Sequence, residues 1–218
     1  MASSATKPAI RAEDRVPFLL KCAYGSGKMV DYFGSQLLKV LSASIFVTEM
    51  GMSPAGIGIV FLIFRLWDAC LDPFVGWLSD NTRTRWGRRR PYVLIGGLLV
   101  GMIFPLLWLG QPGWSETWKF GYLIGTGLVF YTAFALWVMP YSSMLPEMTP
   151  DTDERTSITS YMSFFSTLAA ILGTWIWWIT QLPIFNDPIT HKPDSLHGMR
   201  IVGLALGMLI MLTSVLPA

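Results

Sequence analysis

Six runs of apolar residues, each about as long as a bilayer core is thick, constrain this chain more than any other feature. They cover residues 22–47, 55–79, 92–109, 120–145, 157–182 and 201–218. A helix needs roughly 20 residues to cross the hydrocarbon core. Inside lipid every backbone N–H and C=O must be satisfied without water, which leaves helices or closed barrels. No two-residue alternation competes, so the runs read as helices. The expected fold is an all-α integral membrane protein, with a tail over 1–21 and a six-helix bundle over 22–218. Composition agrees: 14% of the 218 residues are charged and 52% hydrophobic, against about 25% charged in a soluble domain. Ten Trp and thirteen Phe exclude a disordered chain. A net charge of +2 gives no reason to expect a nucleic-acid partner.

The placement of charge sets an orientation. Lys7, Arg11, Arg15 and Lys21 precede or open the first run, Arg83, Arg85, Arg88, Arg89 and Arg90 follow the second, and Arg155 follows the fourth. The alternate connections hold only Lys119, Lys192 and Arg200. Basic short loops stay cytoplasmic, so the N-terminus is expected inside a multi-pass cell (inner) membrane protein. Trp108, Trp114, Trp118, Trp175, Trp177 and Trp178 gather toward the opposite face, as an interfacial belt does. The first residues lack the apolar core of a signal peptide. Cys22 and Cys70 fall inside apolar runs and read as buried free thiols, with no disulfide framework. His191 and His197 lack a third ligand, so no metal site is expected. The last run stops at Pro217–Ala218 without a basic anchor, which reads as the first half of a longer protein or a truncated product.

Charges inside a membrane run point to function, because they are costly there. The second run carries Arg65, Asp68 and Asp72 on one helical face, continued by Gly76 and Ser79. Lys28, Asp31, Ser35, Lys39 and Ser42 form a similar stripe on the first. Two such stripes should face each other or a shared watery cavity. Salt bridges such as Arg65–Asp68 or Lys28–Asp31 are the plainer alternative. Two acids one turn apart are harder to explain structurally, and suit a bound cation or a shared proton. The fifth run carries Ser160, Ser163, Thr167, Thr174 and Gln181 on one stripe, open to either packing or cavity lining. Tyr131, Trp137 and Tyr141 of the fourth run could stack on a sugar face or simply pack, and Pro140 is expected to kink it.

The second connection is the most specific segment: Gly76-Trp-Leu-Ser-Asp80, then a stretch ending Gly87-Arg-Arg-Arg-Pro91. Gly76 allows close helix packing, and Asp80 can pair with the arginines. Asp151 and Glu154 have capping-box spacing at the fifth helix start, and Arg155 is expected to bridge back to Asp80.

The Gly-x-x-x-Asp and Gly-Arg-Arg-Arg-Pro pattern resembles the loop between helices two and three of the major facilitator superfamily. The longer run, Arg65-Leu-Trp67-Asp68-Ala-Cys-Leu-Asp72-Pro73 through Asp80-x-Thr82-x-x-x-x-Gly87-Arg88, resembles the glycoside–pentoside–hexuronide:cation symporters, melibiose carriers among them. Tyr24-Gly-x-Gly27, Pro140, Pro146 and the Asp151–Arg155 helix start fit the same family. The resemblance covers nearly the whole chain but only the first six of the family's twelve helices, so it implies a six-helix N-terminal bundle whose C-terminal six-helix half is missing.

The resemblance implies a symporter and not an enzyme. It implies alternating access around a midplane site, with no cofactor beyond a coupling Na+ or H+. It assigns the cation or proton to Asp68 and Asp72, with Asp31 close to a third acid of the family. Lys28, Trp137, Ser163 and Tyr141 are expected along the solute path. Gly76, Asp80, Gly87, Arg88 and Arg155 are expected to form a conformational latch. Val138 stands where melibiose-type carriers have an Asp, and Ser163 where they have an Arg, so galactoside recognition and sodium coupling do not carry over with the family. The expected partners are a small solute (sugar, glycoside or lysolipid-like) and the lipid bilayer. A half-size membrane protein that binds lipid or a partner chain, and does not transport alone, is the alternative.

Overall fold

The structure, a computed structural model, describes residues 15–185 and 194–217. The tail cations Lys7 and Arg11, and His191 and Lys192, lie outside the described residues. The first column of the bundle runs from α1 (Phe18–Tyr32) through a π-helical segment (Phe33–Leu37) and α2 (Leu38–Ser44) to a second π segment (Ile45–Glu49). Then follow α3 (Pro54–Asn81), α4 (Arg90–Ile103) with a 3-10 extension (Phe104–Trp108), α5 (Glu116–Met148), α6 (Thr152–Thr180) and α7 (Ser195–Val215). Among the described residues no strand is present. Five stretches, from α3 onward and counting α4 with its extension, are long and apolar enough to cross a membrane. The chain is an all-α integral membrane bundle.

Local chemistry sets the helix starts. Ser53, Ser115 and Asp151 each accept a hydrogen bond from a backbone N–H of the first turn of α3, α5 and α6, replacing partners those donors otherwise lack. Pro54 and Pro91 occupy first-turn positions, where a missing N–H costs nothing. The capping box at α6 forms only in one direction. Asp151 accepts from the N–H groups of Asp153 and Glu154 at 2.7 and 3.0 Å. The Glu154 carboxylate turns away to Lys21 on α1, 2.5 Å from its ammonium. Both side chains are nearly buried, and Lys21 also donates to Ser157 at 2.9 Å.

Bulky side chains seated in glycine gaps hold the core together. Val30, Phe33, Phe104, Trp108, Phe130, Trp137, Ile158 and Met199 are fully buried. Gly127 makes room for the Phe64 ring, and Gly34 for Phe134. At Gly96, α4 approaches the α5 backbone so closely that a Cβ would stand 2.8 Å from the Trp137 nitrogen. The two ends of α1 and α5 are clasped by a reciprocal pair. Tyr24 donates to the Tyr141 carbonyl at 2.7 Å and Tyr141 to the Tyr24 carbonyl at 2.8 Å, with the rings stacked 4.6 Å apart. The small residue of Tyr24-Gly-x-Gly27 is thereby explained: a Cβ at Gly27 would stand 2.5 Å from the Tyr141 ring.

Some expectations are corrected. Cys70 is exposed and Cys22 half-buried, so the thiols are free but not enclosed. Gly76 has nothing within 4 Å of where a Cβ would stand, so it makes no close contact within this bundle.

Candidate functional site

A cavity of about 560 Å³ opens between the first column, α3 and α5. Asp31, Ser35 and Lys39 line it from the first column, Arg65, Asp68 and Asp72 from α3, and Tyr131, Phe134 and Val138 from α5. Two charged stripes do meet across one space. Spacing alone made Ser42 a further member of the first stripe, but it is buried. The π segment at Phe33–Leu37 lies between Asp31 and Lys39 and resets the helical register that an unbroken 3.6-residue period assumes. Such segments are rare, mark functional sites frequently, and leave no clear sign in sequence.

Neighbouring packing sets the α3 wall. Trp67 donates from its indole N–H to Thr132 on α5 at 3.0 Å. Phe64 packs on Tyr131, ring centroids 5.0 Å apart. These contacts fix the rotation of α3 and turn Asp68 and Asp72 toward the cavity. Asp68 is bound at 3.2 Å by Arg65, one turn earlier, whose side chain is 81% exposed while that of Asp68 is 14% exposed. One carboxylate oxygen of Asp72 is buried without a hydrogen-bond partner among the described residues. Pro73 follows at once, and its missing N–H removes the helical donor from the Ala69 carbonyl. The turn from Asp68 to Pro73 therefore combines two carboxylates, one orphaned oxygen and one released carbonyl. That is an oxygen-rich environment suited to a proton or a hard cation.

Asp31 sits on the same cavity wall but is held by Lys28 at 2.7 Å. The three acids do not converge on one point: no cluster of three or more His, Cys, Asp or Glu that could hold a metal is found among the described residues. Lys28 pairs with Asp31 and does not line the cavity. Trp137 and Tyr141 differ from expectation. Both rings are buried and stacked 4.6 Å apart behind the wall, because Tyr141 is committed to the Tyr24 clasp. Ser163 is exposed on α6 and lies outside the cavity lining. Val138, in contrast, is on the wall.

At the arginine-bearing end of the bundle, Arg89 and not Arg88 or Arg155 holds Asp80, at 2.8 Å. Arg89 also reaches Glu147 on α5 at 3.0 Å and donates to the Ser143 carbonyl. Arg88 pairs with the same Glu147 at 3.0 Å. Arg155 instead donates to the carbonyls of Thr149 and Pro146 at 2.9 and 3.2 Å, closing the end of α5. A first-turn position on α6 aims its guanidinium at the connection just behind it. Gly87 takes φ +101°, the left-handed region that favours glycine. That turn delivers Arg88 and Arg89 back toward α3 and α5. Glu147 was missed from sequence because it lies 59 residues from its partner Arg88 and in no recognisable spacing with it.

A family model described as MFS/sugar transport protein matches residues 23–217. The isoprimeverose transporter of Lactiplantibacillus pentosus is 29% identical over 96% of this chain and 43% of its own length. An uncharacterized symporter of Synechocystis, sll1374, is 32% identical over 73% of this chain and 30% of its own. The inner membrane symporter YicJ of Escherichia coli is 31% identical over 76% of this chain and 35% of its own. The chain thus spans less than half the length of the curated relatives it matches.

Proposed function

We propose that this chain, which belongs to the MFS/sugar transport protein family, forms one half of a secondary transporter for a sugar, glycoside or related small solute, coupled to Na+ or H+. The observation that carries the reading is the acid pair Asp68 and Asp72 on the cavity wall, one oxygen of it without a partner among the described residues. The relatives, named as a transporter and two symporters, support it. Asp68 and Asp72 bind the coupling ion. Asp31, steadied by Lys28, completes its field from the first column, and Ser35, Lys39 and Val138 meet the solute. A second six-helix half closes the open side of the cavity, and the two halves rock around a midplane site. The exposed flanks of α3 and α6, the least buried of the five membrane-length helices, are available to it. The arginine-bearing end faces the cytoplasm of a cell with the protein in its inner membrane, following the basic-loop rule.

The test is uptake by the full-length protein in vesicles under a sodium or proton gradient, over a panel of glycosides. Asp68→Asn and Asp72→Asn are expected to abolish gradient-driven accumulation while membrane insertion is unchanged. Normal gradient-dependent accumulation in the double variant sinks the ion-site assignment. Saturable uptake by the 218-residue chain, seen only when it dimerises, replaces the single-half reading with a half-size one.

A further inference from the structure

The arginines after α3 divide into two sets. Arg88 and Arg89 are satisfied by Glu147 and Asp80. Arg85 and Arg90 are exposed and make no ion pair or hydrogen bond among the described residues. Both border a cleft of about 440 Å³ that shares no lining residue with the solute cavity and is completed by Trp86, Leu94 and Val215. The basic-loop rule accounts for how many arginines are present. It does not account for two unpaired guanidinium groups converging on a cleft with an indole and an apolar floor.

The floor continues down the bundle. From Leu94 the next residue on the same face of α4 is Leu98, which is exposed. On α7 the face of Val215 continues through Leu212, Met208 and Leu204, all more than half exposed. The two helices are pressed together by small residues: a Cβ at Gly97 would stand 2.3 Å from the Ser214 side chain, and one at Gly101 2.4 Å from Met211. The result is a shallow apolar track that ends in a doubly cationic cleft.

We propose that this cleft binds the phosphate headgroup of an anionic phospholipid, with the acyl chains lying on the α4–α7 track. A guanidinium fork matches phosphate oxygens bidentately. An indole such as that of Trp86 settles at headgroup level. Basic pockets between membrane helices on the cytoplasmic side take anionic headgroups, and the orientation proposed above puts this cleft in that leaflet. Charge complementarity selects the occupant: two uncompensated cations at the head of an apolar track fit an anionic amphiphile. A zwitterionic lipid carries an ammonium that the same cations repel.

Native mass spectrometry of the purified full-length protein, titrated with phosphatidylglycerol or phosphatidylcholine, tests the proposal. Phosphatidylglycerol is expected to bind more tightly, by about tenfold or more, an affinity step of roughly 1.4 kcal/mol. The Arg85→Gln/Arg90→Gln pair should remove that preference and leave phosphatidylcholine unchanged. Arg83→Gln, in the same connection but outside the cleft, should keep it. Brominated phosphatidylglycerol should quench a fluorescence component that disappears in Trp86→Phe. An equal loss in Arg83→Gln shows diffuse surface charge and overturns the site. Displacement of the lipid by inorganic phosphate shows a free-anion site and overturns the lipid assignment. A missing preference for phosphatidylglycerol in the full-length protein overturns the proposal.

Discussion

Two ion pairs illustrate how burial decides what a charge is worth. Lys21–Glu154 joins α1 to α6 with side chains 12% and 8% exposed. Arg88–Glu147 joins the loop after α3 to α5 with side chains 54% and 48% exposed. Removing one partner of an enclosed pair strands the other charge and costs about 3–5 kcal/mol, whereas an exposed pair contributes about 0–1 kcal/mol. Lys21→Met is therefore expected to destabilise the protein by a few kcal/mol in detergent unfolding, and Lys21→Met/Glu154→Met to recover most of the loss. Arg88→Gln should leave the midpoint nearly unchanged, since Glu147 is exposed and keeps Arg89. Equal costs for Lys21→Met and Arg88→Gln would show that neither pair is governed by burial. Sequence spacing identified the Arg65–Asp68 and Lys28–Asp31 pairs because both lie within one helical turn. It could not identify Lys21–Glu154, whose members are brought together only by the packing of α1 on α6.

Glycine placement carries the same lesson at the level of elements. Gly96 lets α4 rest on the α5 backbone, so Gly96→Ala must move main chain, and overpacking of this kind costs about 1–3 kcal/mol. Gly125, on α5 itself, has open space around it. Gly125→Ala should be neutral or stabilising by up to about 1 kcal/mol, since alanine is the better helix former. Thermal unfolding of the two variants in one detergent checks this, and a larger loss at Gly125 would reverse the assignment of the α4–α5 seam. Five of the six expected spans, the acid pair and the connection rich in arginine were legible because membrane spans and one-face charge stripes depend on local periodicity; the first run, 22–47, is instead a column of short α and π segments outside those five. The π segments, the Tyr24–Tyr141 clasp and the Glu147 partner were not. Each depends on backbone register or on contacts across the fold, and periodicity within one segment carries no trace of either. Trp137 shows the limit from the other side: an aromatic on a helix can stack on a solute or on its neighbours, and only the packing at Tyr141 decides.

For the whole molecule, the Arg89 centre matters most. A single guanidinium, 14% exposed, ties Asp80 on the α3 side to Glu147 and the Ser143 carbonyl on α5. It lies beyond the helix end, well away from Asp68 and Asp72: Asp80 is eight residues past Asp72, about 12 Å at the helical rise. Asp80→Asn in the full-length protein is accordingly expected to slow exchange between inward- and outward-open states while changing solute affinity less than about tenfold. A binding isotherm paired with an exchange rate in vesicles measures both. A large affinity loss at unchanged rate would move this end of the bundle into the binding site.

The reciprocal tyrosines place a limit on how such a half can move. Each phenol is bonded to the other's backbone, so neither α1 nor α5 can slide or roll against its neighbour without breaking both bonds at once. Flexing at that seam would expose two buried carbonyls and two phenols together, and no partial step shares out the loss. Under the proposed function, opening and closing of the cavity is expected at the boundary with another body, with the α1–α5 seam carried along as one piece.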